Sequence, residues 1–309
     1  MKQLLLLFYL LGTTFLYADI EPKMYWTDRT LGKIYRSNLD GTAKEVIVSE
    51  LRNPAGLAID IANQKLYWAD YGTGKIYQNN LGGSHQKVII KGLKSIGGIA
   101  LDGADLKIYW TDFGRKEIRR ANLDGTEEEV ILGNLSGPLG ITLDKINQKI
   151  YWTDFKADVI GRANLDGSYK EILIENLGSP QGITLNTHAE KMYWTDYDTG
   201  EILSADMDGR HKRVLINGLK DPAGIALDEQ NNKLYWTDFG TDEIMVANMD
   251  GEQQVLLVSD LKDPEFLAII TPLAARIEVP TLSEWGLLVY GLLILNIGVV
   301  GVLKQERYC

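Results

Sequence analysis

The 309-residue sequence predicts an all-β domain, a six-bladed β-propeller of four-stranded blades, on three observations. The tetrapeptide Tyr-Trp-[Thr/Ala]-Asp begins at Tyr25, Tyr67, Tyr109, Tyr151, Tyr193 and Tyr235, a constant spacing of 42 residues. A second element, [Asn/Asp]-[Leu/Met]-[Asp/Gly]-Gly, keeps the same period and ends at Gly41, Gly83, Gly125, Gly167, Gly209 and Gly251. A third, Pro-x-Gly-[Ile/Leu]-[Ala/Thr]-[Ile/Leu]-[Asp/Asn], begins at Pro54, Pro138, Pro180 and Pro222, with Ile96 in place of proline in one copy and a degenerate Pro264-Glu-Phe-Leu-Ala-Ile-Ile at the end. A fixed period of this length marks stacked supersecondary units.

Each unit resolves into four strands separated by turn signals. In the fourth, the run from Gly140 to Asp144 is the first strand, and the turn at 145–148 leads into Lys149-Ile-Tyr-Trp-Thr-Asp as the second. Val159 to Leu165 is the third, Asp166-Gly167 a hairpin turn whose glycine supplies positive φ, and Lys170 to Ile174 the fourth. Blades stacked around an axis bury both sheet faces, which fits strands that are apolar almost throughout. Alternation puts Tyr and Thr of the motif on one face and Trp and Asp on the other. Trp26, Trp68, Trp110, Trp152, Trp194 and Trp236 are then placed to fill the space between blades. Asp28, Asp70, Asp112, Asp154, Asp196 and Asp238 are expected to tie neighbouring backbone together, because a buried carboxylate needs partners.

The repeat region begins at the second strand of a unit, at Lys23-Met-Tyr-Trp-Thr-Asp, and finishes on a first strand, Phe266 to Ile270. The two fragments are complementary, so the last strand is expected to pair beside Met24–Asp28 and close the ring, leaving no open edge in the array.

The 42-residue unit resembles the class B (YWTD) repeat of low-density lipoprotein receptors and nidogen, over roughly Pro22 to Thr271. That resemblance implies a six-bladed propeller that binds ligands on one face. The cysteine-rich modules beside the propeller in animal members are missing from this sequence, so their receptor-recycling biology is not carried over.

Both ends of the sequence point to export. Lys2, the apolar run Leu4–Leu11 and Ala18 read as a signal peptide over 1–18, with an uncleaved anchor as the alternative. The propeller is assigned to 19–273, a linker and sorting motif to 274–285, a transmembrane segment to 286–303 and a basic tail to 304–309. Gly286 to Leu303 has no charge in 18 residues and is followed by Lys304 and Arg307, which places the tail in the cytoplasm. Val279 to Gly286, with Pro280, Thr281, Leu282, Trp285 and Gly286, is similar to the IPTL-type sorting signal of Gram-negative bacteria. This likeness implies recognition by an exosortase-like membrane peptidase; an ordinary membrane anchor is the other reading. The single cysteine, Cys309, allows no intrachain disulfide.

The net charge of −10 argues against a nucleic-acid partner. Candidate binding residues gather on one face, where the 2–3 loops and the links between blades lie. The residue after each motif is Arg29, Tyr71, Phe113, Phe155, Tyr197 or Phe239, five aromatics in six, suited either to a binding hot spot or to capping the blades. Lys75, Lys91, Lys94, Arg115 and Lys116 form a basic sector; Asp198, Glu201, Asp242, Glu243, Asp263 and Glu265 form an acidic one opposite, which is either a dipolar rim able to steer a charged partner or a solvated rim of uneven charge. No catalytic motif, metal-ligand cluster or cofactor site is recognised: His85, His188 and His211 fall in turns of the other face. The x positions at the channel mouth, Ala55, Gly97, Leu139, Gln181, Ala223 and Glu265, are a thin catalytic set. The reading is therefore a binding scaffold for protein or polysaccharide, with a channel lactonase or lyase and a purely structural matrix protein as alternatives.

Overall fold

The structure, a computed structural model, describes residues 21–271. They form six four-stranded antiparallel sheets, each a blade ordered from the inside outward. The six motif strands are Lys23–Asp28, Lys65–Asp70, Lys107–Asp112, Lys149–Asp154, Lys191–Asp196 and Lys233–Asp238, and they number blades one to six. Each is the second strand of its blade. The inner strands are Pro264–Ile270 in blade one, then Pro54–Asp60, Ile96–Asp102, Pro138–Asp144, Pro180–Asn186 and Pro222–Asp228. In the fourth blade the third and fourth strands are Val159–Asn164 and Glu171–Ile174, one residue shorter than the sequence reading at their ends, and the inner strand starts two residues earlier, at Pro138. Gly167 has φ of +83°, as its hairpin requires.

The ring closes as the repeat phase demands. Pro264–Ile270 pairs antiparallel with Lys23–Asp28, with Tyr25 opposite Ala268 and Trp26 opposite Leu267. Blade one is thus built from both ends of the repeat region. Each inner strand packs against the inner strands of its two neighbours, so the six of them line the axis.

Alternation along the motif explains how blades adhere. The hydrophobic core divides into six clusters, and each contains the Tyr of one blade and the Trp of the next: Tyr67 with Trp110, Tyr109 with Trp152, Tyr151 with Trp194, Tyr193 with Trp236, Tyr235 with Trp26, and Tyr25 with Trp68. All six indoles are fully buried. At about 25 cal/mol per Å² of apolar surface, such aromatic seams supply the main cohesion of a ring without disulfides.

A second device sits nearer the axis. Each inner strand carries a β-bulge, over its x-Gly pair in blades two to six and over Glu265-Phe266 in blade one: Pro138 faces Asp154 but Ile141 faces Trp152, four residues against three. The bulge glycine lets adjacent inner strands approach closely. A Cβ on Gly140 would lie 2.2 Å from the Gln181 carbonyl oxygen of the next blade. The motif Thr then bridges the gap. Thr153 Oγ1 accepts from Gly140 N–H (2.8 Å) and donates to Gln181 O (2.6 Å), and Thr111, Thr195 and Thr237 repeat this contact with Leu139, Ala223 and Glu265. Both seams of blade two depart from it. Ala69 replaces the Thr on one side, and on the other Phe266 stands where glycine is needed, so that Thr27 bonds only within its own blade, to Phe266.

Candidate binding face

The face is organised by the motif carboxylates. Asp154 accepts N–H groups from Ser136 and Gly137 in the link entering its blade (2.8 and 2.6 Å) and from Ala157 in the 2–3 loop (3.1 Å). Asp70, Asp112, Asp196 and Asp238 clamp the same two segments. Asp28 reaches Leu31 and, across the closure, Lys262; burial raises its carboxyl above the ordinary range. The tie expected from the sequence is a two-segment clamp. The next residue is fixed as well: the N–H groups of Arg29, Tyr71, Phe113, Phe155, Tyr197 and Phe239 donate to the carbonyls of Asp263, Asn53, Ser95, Gly137, Ser179 and Asp221. Their side chains therefore leave the surface from rigid backbone.

Only part of the expected aromatic ring is contiguous. Tyr71, 39% exposed, stacks on Phe113 with centroids 6.0 Å apart and planes at 9°. Phe113 meets Phe155 edge-on at 6.0 Å and 84°, and the Lys156 ammonium lies 5.5 Å from the Phe155 centroid. These three rings run as an arc over blades two to four. Tyr197, also exposed, and Phe239 lie on the same face, in no ring contact with the arc. The Tyr197 phenol is pushed up by desolvation and by Asp221 and Asp198. Arg29 occupies the sixth position and donates to Asn53 at 2.7 Å, closing the surface beside Tyr71.

The charged rim is partly structural. Arg115 donates to buried Asp112 (2.8 Å) and to the Gly92 carbonyl (2.7 Å), so its guanidinium serves the clamp. Lys91, Lys94 and Lys116 are the exposed members of that sector. Across the face, Asp242 accepts from Asp263 N–H (2.9 Å) and from Lys262 (3.4 Å), whereas Asp198 is exposed. Glu265 lies at the channel mouth, partly buried, and desolvation pushes its carboxyl up to about 7.

Another repeated group escaped the sequence reading. Arg36, Arg120 and Arg162 each bond the motif Tyr hydroxyl of their own blade, a Glu of the outer strand, and a carbonyl of the next blade (Leu81, Leu165, Met207). The signal is an Arg eleven residues after the Tyr in three units, and Gln78 holds the position in blade two. Arg120 and Arg162 line clefts on the opposite face, where His85 contacts Asn80 and His211 contacts Asp206. Among the described residues no group of three or more His, Cys, Asp or Glu side chains is arranged to hold a metal ion.

The family model for the low-density lipoprotein receptor repeat class B matches residues 22–61, 106–145, 148–185, 190–229 and 232–269, more than half of the chain. The chain belongs to the class B repeat family. The crystal structure of a nidogen/laminin complex contains a similar chain, with TM-score 0.76 and 26% identity over 81% of this chain and 99% of that one. No curated protein matches. Within the class B pattern, residues 62–105 lie between the matched segments, and they hold Ala69, Gly82 and Ile96. The repeat that departs from the motif is thus the one whose seams lack the threonine bridge.

Proposed function

We propose that this class B propeller is a non-catalytic module that binds a protein through the face bearing Tyr71, Phe113 and Phe155. The observation that carries the reading is the three-ring arc, held by clamped backbone, with Tyr71 exposed and Phe113 and Phe155 partly exposed beside it. Rigid aromatics bury large area at small entropic cost, which is what interface anchors require. The similarity to a chain from a nidogen/laminin complex supports a protein partner. The channel mouth supports binding over lactonase or lyase chemistry, since it offers one carboxyl, Glu265, and one amide, Gln181, with no second acid–base group among the x positions.

We place the protein outside the cytoplasm, exported by 1–18 and sorted by an exosortase-like peptidase acting at Val279–Gly286, with 286–303 as the membrane segment. Those segments lie outside the described residues, and the proposal stands on their sequence. The test of binding is capture of partners from envelope and exopolysaccharide fractions by the full chain and by Tyr71→Ser/Phe113→Ser/Phe155→Ser. Tyr169→Ser serves as control, because that ring is 82% exposed in a turn between third and fourth strands, away from the arc. Loss of a protein partner in the triple variant alone, with melting preserved, supports the reading. Capture of polysaccharide only would replace the partner class, and equal capture by both variants would overturn the face. Mass determination of the mature C-terminus tests sorting; an intact Cys309 end overturns it.

A further inference from the structure

Two kinds of side chain tie one blade to the next beside the aromatic seams. The motif threonine joins blade three to four, four to five, five to six and six to one through Thr111, Thr153, Thr195 and Thr237. The arginine eleven residues after the motif Tyr does the same from the opposite face. Arg36 reaches the Leu81 carbonyl of blade two at 3.4 Å, Arg120 the Leu165 carbonyl of blade four at 3.1 Å, and Arg162 the Met207 carbonyl of blade five at 3.0 Å. Ser204 and Val246 hold that place in blades five and six, whose seams keep the threonine. The seam between blades two and three has neither tie. Ala69 replaces the threonine, and Gln78 donates only to Tyr67 of its own blade, at 2.9 Å.

The other side of blade two is weakened by a different group. Thr27 bonds only within blade one, and the Arg36 contact is the longest of its kind. Asn79 lies opposite Leu66 as Tyr77 lies opposite Trp68, so it shares the strand face that packs on blade one. It is 1% exposed, and neither its Oδ1 nor its Nδ2 has a hydrogen-bond partner. Ala121, Ala163, Ala205 and Ala247 fill the same place in blades three to six, buried and with no polar atom to satisfy. A buried amide left unpaired works against closure of its seam. The links on either side are pinned: Arg29 holds Asn53 at 2.7 Å, and Arg115 holds the Gly92 carbonyl at 2.7 Å.

Stability within a fold is uneven, and a unit with few tertiary ties opens first and as a block. We propose that blade two, residues 54–91, is that unit: it unfolds locally as one block while the other five blades stay closed, and the aromatic arc comes apart with it. Tyr71 belongs to blade two and Phe113 to blade three, so their stack crosses the seam that has neither tie. The consequence for recognition rests on the arc being the binding surface. A protein that needs both rings binds the closed ring and supplies, across Tyr71 and Phe113, the tie that this seam lacks. Binding and opening then oppose each other.

Hydrogen exchange of the full chain, read by mass spectrometry, compares matched places in the repeat: 65–80 in blade two against 149–164 in blade four and 191–206 in blade five. Exchange in blade two is expected to be at least about tenfold faster, with its inner, motif and third strands sharing one opening. Equal protection in the three blades overturns the proposal, as does fast exchange confined to turns and the outer strand. Asn79→Ala, the residue of four other blades, is expected to slow exchange in blade two about fivefold and leave blade four unchanged; Ala69→Thr acts from the other seam. Failure of both variants to slow blade two, or equal slowing around the ring, overturns the proposal too. A protein captured through the arc is expected to slow exchange over 65–80 by about another tenfold. No further slowing with that protein bound overturns the coupling to recognition and keeps the opening. Absence of any arc-dependent capture overturns the face, while the free chain still decides the opening.

Discussion

Thr153 Oγ1 donates to the Gln181 carbonyl at 2.6 Å, joining blades four and five, while accepting from Gly140 N–H at 2.8 Å in its own blade. One hydroxyl thereby serves two buried backbone groups that alanine or valine would leave without this partner. Thr153→Val, nearly the same in shape, is expected to lower stability by about 1–3 kcal/mol in urea unfolding. The reverse change is available in blade two. Ala69→Thr places a hydroxyl between Gly56 N–H and the Gly97 carbonyl, whose oxygen sits 2.4 Å from where a Gly56 Cβ would be. It is expected to raise stability by about 0.5–1.5 kcal/mol. Destabilisation by Ala69→Thr would mean that the seam has no room for the hydroxyl.

Closure by the last strand makes a second prediction. Removing residues 264–272 strips blade one of its inner strand and exposes the edge of Lys23–Asp28. It also removes Leu267, buried against Trp26, and Phe266 and Ile270 from the core shared with Trp68. The truncated chain is expected to lose its cooperative thermal transition. Melting within a degree or two of the intact protein, no more than the shift expected for about one kcal/mol, would show that the ring does not depend on this strand.

Period and phase were enough to read the propeller, its closure and the placement of Trp26 and its five counterparts, because each rests on local alternation repeated six times. The site was less legible. Whether Phe113 touches Tyr71 depends on the rotation between blades, which a 42-residue period does not encode. Arg115 read as a free rim charge because its partner Asp112 also read as a purely backbone-binding group. The bulge beneath Glu265 and the seam arginines Arg36, Arg120 and Arg162 arise from contacts across or between strands, where sequence alone shows only an isolated Glu and an incomplete Arg repeat.

The carboxylate clamp predicts a variant that loosens the face while leaving every side chain of the arc in place in the sequence. Asp154→Ala orphans the N–H groups of Ser136, Gly137 and Ala157 and releases the loop that carries Phe155. Hydrogen bonds to a charged acceptor are worth about 1.5–3 kcal/mol each, and the loop can recover part of that by binding water, so a net loss of about 3 kcal/mol is expected. Amide exchange should accelerate at those three positions first. Uniform acceleration around the ring would point to a general loss of packing instead.

Glu265 gives a pH dependence of defined sign. Its carboxyl has an ordinary value of 4.5 and stands at about 7 in the folded chain, chiefly through desolvation. Between those values the folded state holds a proton that the unfolded state has released. This contribution is therefore full below about pH 4.5 and is lost as pH rises through about 7. At about 1.4 kcal/mol per unit, the loss is about 3.5 kcal/mol at most, and the partial exposure of Glu265 reduces it. Glu265→Gln removes the titration, so the stability of the variant relative to the parent should climb between pH 4.5 and pH 8. Urea unfolding of both proteins at about pH 4.5, 6 and 8 measures it. A constant difference across that range would show that Glu265 ionises normally and is well solvated.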